Sequence, residues 1–319
     1  MPSIRGTTIT APVAGKSRVG DSALLPVRIK KHTILGAALV FTAAVDFSAK
    51  GVLVKIAYSL GVDPVTLLGL RMAFSLPFFV FILVWFRGDG LGWMELLAAS
   101  GLGFLGYYVG SFLDLLGLQY VSAGLERMIL FLYPTIVVLL SALIYRKAVG
   151  KKQLLALFLS YGGISLAFMH DASFNDKNIL LGGLLVLGNG LAFACYLLGG
   201  SVVISRIGAT RFTAVAMTSA CMASVLQFAL LRPLAVLAMP LKVYEVALAM
   251  AIFSTVLPAF LLSAGIRRIG PERAALVGAA GPVMTIILAY YLLGEPVSLL
   301  QIAGSILVLS GVLIISLEK

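Results

Sequence analysis

The chain has 319 residues, of which 61% are hydrophobic and 12% charged, and its mean hydropathy is +1.07. An average soluble domain is about half apolar and a quarter charged, so this composition excludes a soluble globule, a nucleic-acid binder and a disordered chain. The formal net charge of +11 arises from Lys and Arg in short segments between apolar runs, not from a basic stripe.

From the N-terminus, residues 1–31 are polar, basic and rich in Ser, Thr, Pro and Gly. They predict a disordered cytoplasmic tail followed by a retained first span, because a cleavable signal would place its apolar run much earlier. Apolar runs bounded by charges, Pro or Gly then predict spans at 33–57, 65–86, 93–117, 122–145, 152–170, 179–203, 208–231, 243–266, 272–293 and 297–317. Each approaches the ~20 apolar residues that a bilayer requires. With the N-terminus inside, seventeen Lys and Arg fall on the cytoplasmic side and only Lys177, Arg232 and Lys242 opposite. The positive-inside rule therefore places both termini in the cytoplasm and explains the basic charge without an anionic partner. Trp85 and Trp93 bracket the loop at Arg87, where an interfacial aromatic belt is expected. Cys195, Cys221, His32 and His170 suggest no disulfide framework and no metal site.

An internal repeat sets the expected architecture. Residues 122–168 and 270–316 align without gaps at an offset of 148, with Pro134 on Pro282, Gln153 on Gln301 and Gly163 on Gly311. Nearer the N-terminus the offset is 147, with Gly36 on Gly183, Gly61 on Gly208 and Thr66 on Thr213. Five is an odd number of spans, so the second half enters the membrane in the opposite sense. The expected fold is an all-α integral membrane protein of ten transmembrane helices. It is built as two inverted five-helix repeats, 32–171 and 178–317, around a central cavity, as in alternating-access transporters.

The stretches SLGVDPVTLLGLR (59–71) and GPVMTIILAYYLLGEPVSLLQIAGSILVLSGVLII (281–315) resemble the diagnostic segments of EamA-type domains in the drug/metabolite transporter superfamily. The resemblance covers about residues 33–317, with Pro282, Gly294, Glu295, Gln301 and Gly311 at motif positions in the second half and Lys55, Arg71, Pro134 and Gln153 in the first. It departs at Phe47-Ser48, where the family usually has Trp-Gly, and at Arg146-Lys147, where it has Gly-Glu. The resemblance implies a secondary transporter, commonly an exporter of small metabolites or amino acids.

Ionisable residues inside spans cost about 2.5–3.5 kcal/mol each on insertion scales, so each needs a reason. All the deep ones lie in the first half: Asp46 and Lys50 in span one, Arg71 in span two, Asp114 in span three, Glu126 and Arg127 in span four. Asp46 and Lys50, four residues apart, are expected to pair. They either hold the two ends of a zwitterion or neutralise each other and position the helix, and the resemblance adds a proton-carrying role for Asp46. Arg71 is expected to pair with Asp114 or Glu126, with Arg127 beside them, as an outer gate. The second half contributes a neutral wall with Asn189, Tyr196 and Ser254. Phe47, Tyr107, Ser111 and Tyr133 complete the candidate cavity lining. Pro134, Pro258 and Pro282 are expected to bend their helices beside it. Gly106 and Gly110 form a GxxxG pattern that predicts close helix packing. Glu295 and Arg273, at span ends, are expected to make capping or loop contacts.

The expected function is secondary active transport of a small-molecule substrate, foremost amino-acid export across a bacterial inner membrane. Protons are a candidate coupling ion. No catalytic residue, cofactor, metal or nucleic acid is implied, and a monomer in the lipid bilayer is expected with an oligomer left open. A carrier of organic cations or drugs, of sugars or of phosphorylated metabolites is the alternative, and a non-transporting membrane scaffold a third reading. An intramembrane enzyme is disfavoured because HExxH, a mid-membrane His and a P-loop are missing.

Overall fold

The computed structural model describes residues 25–85, 92–146, 150–174, 178–278 and 280–317, and among these it contains helices and no strand. The first half comprises α1 (Leu25–Ser59), α2 (Pro64–Trp85), α3 (Trp93–Gly103), a π-helical turn at Phe104–Val109, α4 (Gly110–Gly117), α5 (Ala123–Leu130), α6 (Tyr133–Tyr145) and α7 (Lys151–Phe174). The second half comprises α8 (Ile179–Ile207), α9 (Ala209–Leu231), a short 3₁₀ turn, α10 (Leu241–Ala251), a π-helical turn at Ile252–Val256, α11 (Leu257–Gly278), α12 (Gly281–Leu293) and α13 (Leu299–Leu317).

Among the described residues, eight helical segments are long and apolar enough to cross a membrane, from Thr33–Ser59 to Leu241–Leu262. Gly281–Leu293 and Leu299–Ile314 are apolar but shorter, so the last two of the ten expected spans fall below the crossing length in their described parts. One correction concerns the tail: helix α1 begins at Leu25, so residues 25–31 are helical. Pro26 stands in the first turn, where its missing N–H costs nothing, and no breaker separates it from the apolar run. Residues 1–24, and the basic residues Arg87, Lys147 and Lys177 used to set orientation, lie outside the described residues.

The two halves repeat in backbone detail as well as in sequence. The π-turns at Phe104–Val109 and Ile252–Val256 stand at the 148-residue offset. So do the interruptions before α6 and α12, which place Pro134 and Pro282 alike in the first turn of a new helix. Each interruption is short and stays in right-handed helical backbone at Phe131, Leu132 and Ala280, with Pro in the following first turn, where its missing N–H costs least. Pro258 stands two residues after the second π-turn, and its counterpart after the first is Gly110, so proline alone does not create the turn. Gly61 and Gly208, at the 147-residue offset, both have positive φ (82° and 83°), which a residue with a Cβ rarely adopts.

Helix packing follows the same exchange of halves. Helix α1 packs along α11 and α12, as α8 packs along α4 and α6, while α2 pairs with α9 and α7 with α13. The α7–α13 pair is antiparallel: Gly163 abuts Gly304 and Leu307, and Gly311 abuts Ser160 and Ala156. In α2–α9, Gly69 abuts Phe228, and Cys221 Sγ lies 3.7 Å from Met72 Sδ, again antiparallel. Homologous helices that meet antiparallel are the geometry of an inverted repeat. The largest buried cluster joins α1, α2, α4, α9 and α10 around Leu67, Leu68, Met72, Phe79, Leu115 and Met250.

Candidate functional site

Three of the deep charges of the first half, Lys50, Asp114 and Glu126, converge where α1, α4, the start of α5 and α8 meet. Lys50 Nζ lies 2.5 Å from Asp114 Oδ2 and 3.9 Å from Glu126 Oε1. Asn189 Nδ2, from the second half, donates to Asp114 Oδ1 at 2.8 Å. Asp114 and Glu126 are 0% and 1% exposed. Local sequence explains the placement. Ser122 caps α5 by accepting from the Leu125 N–H at 3.0 Å, which starts the helix one turn before Glu126. Gly51 leaves room on α1 for the Glu126 carboxyl: a methyl group there would sit 3.1 Å from Oε2.

Two expected pairs are corrected here. Lys50 binds Asp114 across helices and not Asp46 along its own helix, because two fully buried carboxylates cannot stay without a cation while Asp46 is only half-buried. Asp46 Oδ2 is itself buried without a hydrogen-bond partner among the described residues. Arg71 forms no ion pair with Asp114 or Glu126, whose cation is Lys50; it is buried within coulombic reach of Asp114, Tyr58 and Cys221. Arg127 stands over the Phe131 ring at 5.4 Å, a cation–π contact beside Gly281, instead of in an ion pair.

The aromatic candidates do gather. Tyr107 meets Tyr196 edge-on at 5.0 Å, Tyr133 meets Phe193 at 5.3 Å, and Phe193 stacks on Tyr196 at 5.8 Å. Gly106 and Gly110 pack against Tyr196 and Asn189, so the GxxxG pattern seats the first π-turn on α8 and presents Tyr107 between them. No ring contact joins Phe47 to this cluster among the described residues, and Ser111 is half-buried just after the π-turn. Ser254, in the second π-turn, is buried with an unpartnered hydroxyl.

Sequence reasoning missed Ser48. Its hydroxyl lies between two carbonyl acceptors that share its one proton, Gly281 O at 2.8 Å and Ala44 O at 2.6 Å, and the Thr285 hydroxyl is 3.3 Å from Ser48 O. These bonds tie α1 to the break before α12, and the signal for them was the departure from the usual Trp-Gly pair. Glu295 accepts from the Ala123 N–H at 3.2 Å and so caps α5 from the other repeat, as its span-end position suggested.

Outside the spans, Asp63 caps α2 through Val65 and Thr66 and accepts from Arg232 at the end of α9 at 2.8 Å. Burial raises its pKa, but the Thr66 and Arg232 hydrogen bonds outweigh that and hold the carboxyl below its ordinary range. At the opposite ends of the spans, Arg206 of α8 lies 3.7 Å from Glu95 of α3.

The sequence matches the EamA-like transporter family twice, over residues 34–169 and 180–317. The chain belongs to that family. The uncharacterized transporter YcbK of Bacillus subtilis is 32% identical over 284 residues, covering 86% of this chain and 90% of the relative. The uncharacterized transporter sll1319 of Synechocystis is 25% identical over 314 residues, covering 90% and 94%. A solved crystal structure with 17% identity aligns with a TM-score of 0.62, covering 90% of this chain and 98% of the other, and shares the fold. The chain is accordingly a multi-pass membrane transporter of EamA type, and the two matched segments coincide with its two structural repeats.

Proposed function

We propose that this EamA protein is a secondary active transporter that exports small zwitterionic metabolites, foremost amino acids, across a bacterial inner membrane by alternating access. The observation that carries the reading is the buried Lys50–Asp114–Glu126 set of opposite charges from the first repeat, which the second repeat meets with the Asn189 amide. Such a cluster is costly in a membrane unless it works. An α-ammonium finds acceptors in Asp114 and Glu126, and an α-carboxylate finds cations in Lys50 and Arg127. The Tyr107–Phe193–Tyr196–Tyr133 group supplies an amphipathic surface for the side chain. The Asp63–Arg232 and Glu95–Arg206 contacts link different helices at the two ends of the bundle, where gates of an alternating-access cycle belong.

Counterflow tests this directly. Proteoliposomes preloaded with unlabelled amino acids are offered labelled Thr, Phe, Leu, Met or Lys outside. Accumulation of one class, reduced at least tenfold by Asp114→Asn, is the expected result. No accumulation by folded protein rejects amino acids and moves the search to organic cations, for which the unpartnered Asp46 carboxylate is the counter-ion.

A further inference from the structure

Asp114 and Glu126 share one ammonium unequally. Lys50 Nζ is in contact with Asp114 at 2.5 Å and stands off Glu126 at 3.9 Å. Asn189 adds a hydrogen bond to Asp114 but no charge. Asp114 Oδ2 and Glu126 Oε1 are both buried without a hydrogen-bond partner among the described residues, but only Asp114 Oδ2 has the ammonium in contact, and Glu126 Oε2 lies against α1 at Gly51. The other groups facing the pair do not fill the vacancy. Arg127, next along α5, is turned onto Phe131, and Arg71 of α2 makes no ion pair among the described residues. The Tyr58 hydroxyl is committed to Leu115 O at 2.5 Å, and α12 offers the hydroxyl of Thr285, itself bonded to Ser48 and Gly281.

Two carboxylates on one cation in a water-poor site leave one negative charge uncompensated at contact distance, and a proton neutralises it at least cost. We propose that the Asp114–Glu126 pair holds one exchangeable proton, resident on Glu126 Oε1, and that this is the coupling site of the transporter. The coupling rests on the transport reading above; the proton site rests on the geometry alone. Lys50 supplies the switch. It rides on α1, which packs along α11 and α12 of the second repeat, while Asp114 sits on α4 against α8, and α5 with Glu126 lies between the two groups, against both α8 and α12. Rocking of one group against the other moves the ammonium relative to Glu126. The O–H bond is favoured where Lys50 has withdrawn and broken where it returns, so the proton is taken up in one conformation and released in the other.

Infrared titration of the full-length protein in lipid nanodiscs reads the proton without a substrate. The expected result is a protonated-carboxyl C=O stretch that titrates reversibly. It disappears in Glu126→Gln, shifts in frequency in Glu126→Asp and persists in Asp63→Asn. Lys50→Met moves its midpoint up by about one pH unit or more. A band unchanged in both Glu126 variants overturns the proposal, and the Asp variant keeps the test available if the Gln variant fails to fold. Amino-acid counterflow on the same preparations separates the two readings. Failed counterflow with an intact Glu126 band rejects the substrate class alone, and active counterflow without that band rejects the proton site alone.

Discussion

Arg146 and Gly294 occupy the same position in the two repeats, ending α6 and α12 in left-handed backbone with φ of 52° and 67°. For Gly294 the conformation is free of side-chain strain, whereas Arg146 holds it with a Cβ, at about 1 kcal/mol. Arg146→Gly is therefore expected to be more stable than Arg146→Ala by about 1 kcal/mol, since both remove the charge and only one relieves the strain. Thermal unfolding of the two purified variants in detergent checks this, and equal melting temperatures would reject the strain argument.

Lys50 is the cation within ion-pair distance of both buried carboxyl groups among the described residues, so its loss is expected to cost more than the loss of either partner. Lys50→Met is expected to destabilise by about 3–5 kcal/mol, the range for breaking a buried ion pair from one side. Asp114→Asn keeps the Asn189 hydrogen-bond geometry and leaves Lys50 with Glu126, so it is expected to cost less. The double variant Lys50→Met/Asp114→Asn should recover at least 1 kcal/mol relative to additivity. Additive costs in a double-mutant cycle would show that the 2.5 Å contact contributes nothing to the fold.

The helices, the repeat and its inversion were legible because apolar run length, loop charge and a fixed offset are local or periodic signals. Asp114, Glu126 and Lys50 were legible as residues because charge inside a span stands out. Their partnership was not. Helix spacing favours Asp46 with Lys50 by sequence separation, whereas the choice of Asp114 depends on how α4 approaches α1, which pattern alone does not encode. Ser48 was hidden for the same reason, since a serine in a span reads as neutral filler until Gly281, 233 positions away, lies beside it. The π-turns left no mark on hydropathy at all, and only the symmetry of the two halves makes them recognisable as a shared device.

Asp63 offers a pH dependence outside the membrane. Its folded pKa is depressed, so it contributes stability that is complete above the ordinary aspartate value of about 3.9 and is lost as pH falls through the lower folded value. At neutral pH, Asp63→Asn keeps a capping oxygen and loses the Arg232 pair, and with both partners about one-third exposed the expected cost is below about 1 kcal/mol. Asp63→Ala also removes the cap on α2 and should cost about 1 kcal/mol more. Melting temperatures at pH 7 and pH 3.5 check the sign. The gap between wild type and Asp63→Asn should narrow at the lower pH, and a gap that widens would contradict the depressed pKa.

The antiparallel contact of α7 with α13 gives the sharpest packing test because it carries its own control. In a bilayer the apolar effect does not drive helices together, so close approach of small residues has to. A methyl group at Gly163 would lie 2.5 Å from the Gly304 carbonyl oxygen and 2.9 Å from both Leu307 Cβ and Val308 N, none of them the far end of a flexible side chain. Gly163→Ala must therefore separate the two helices, at an expected cost of about 1–3 kcal/mol. At the adjacent Gly162 nothing lies within 4 Å of a built methyl, so Gly162→Ala should be neutral or stabilising by up to about 1 kcal/mol through helix propensity. Thermal stability by fluorescence-detected gel filtration distinguishes them. Equal tolerance at both positions would mean that α7 and α13 are not in backbone contact, and with that the pairing of homologous helices across the inverted repeat would fall.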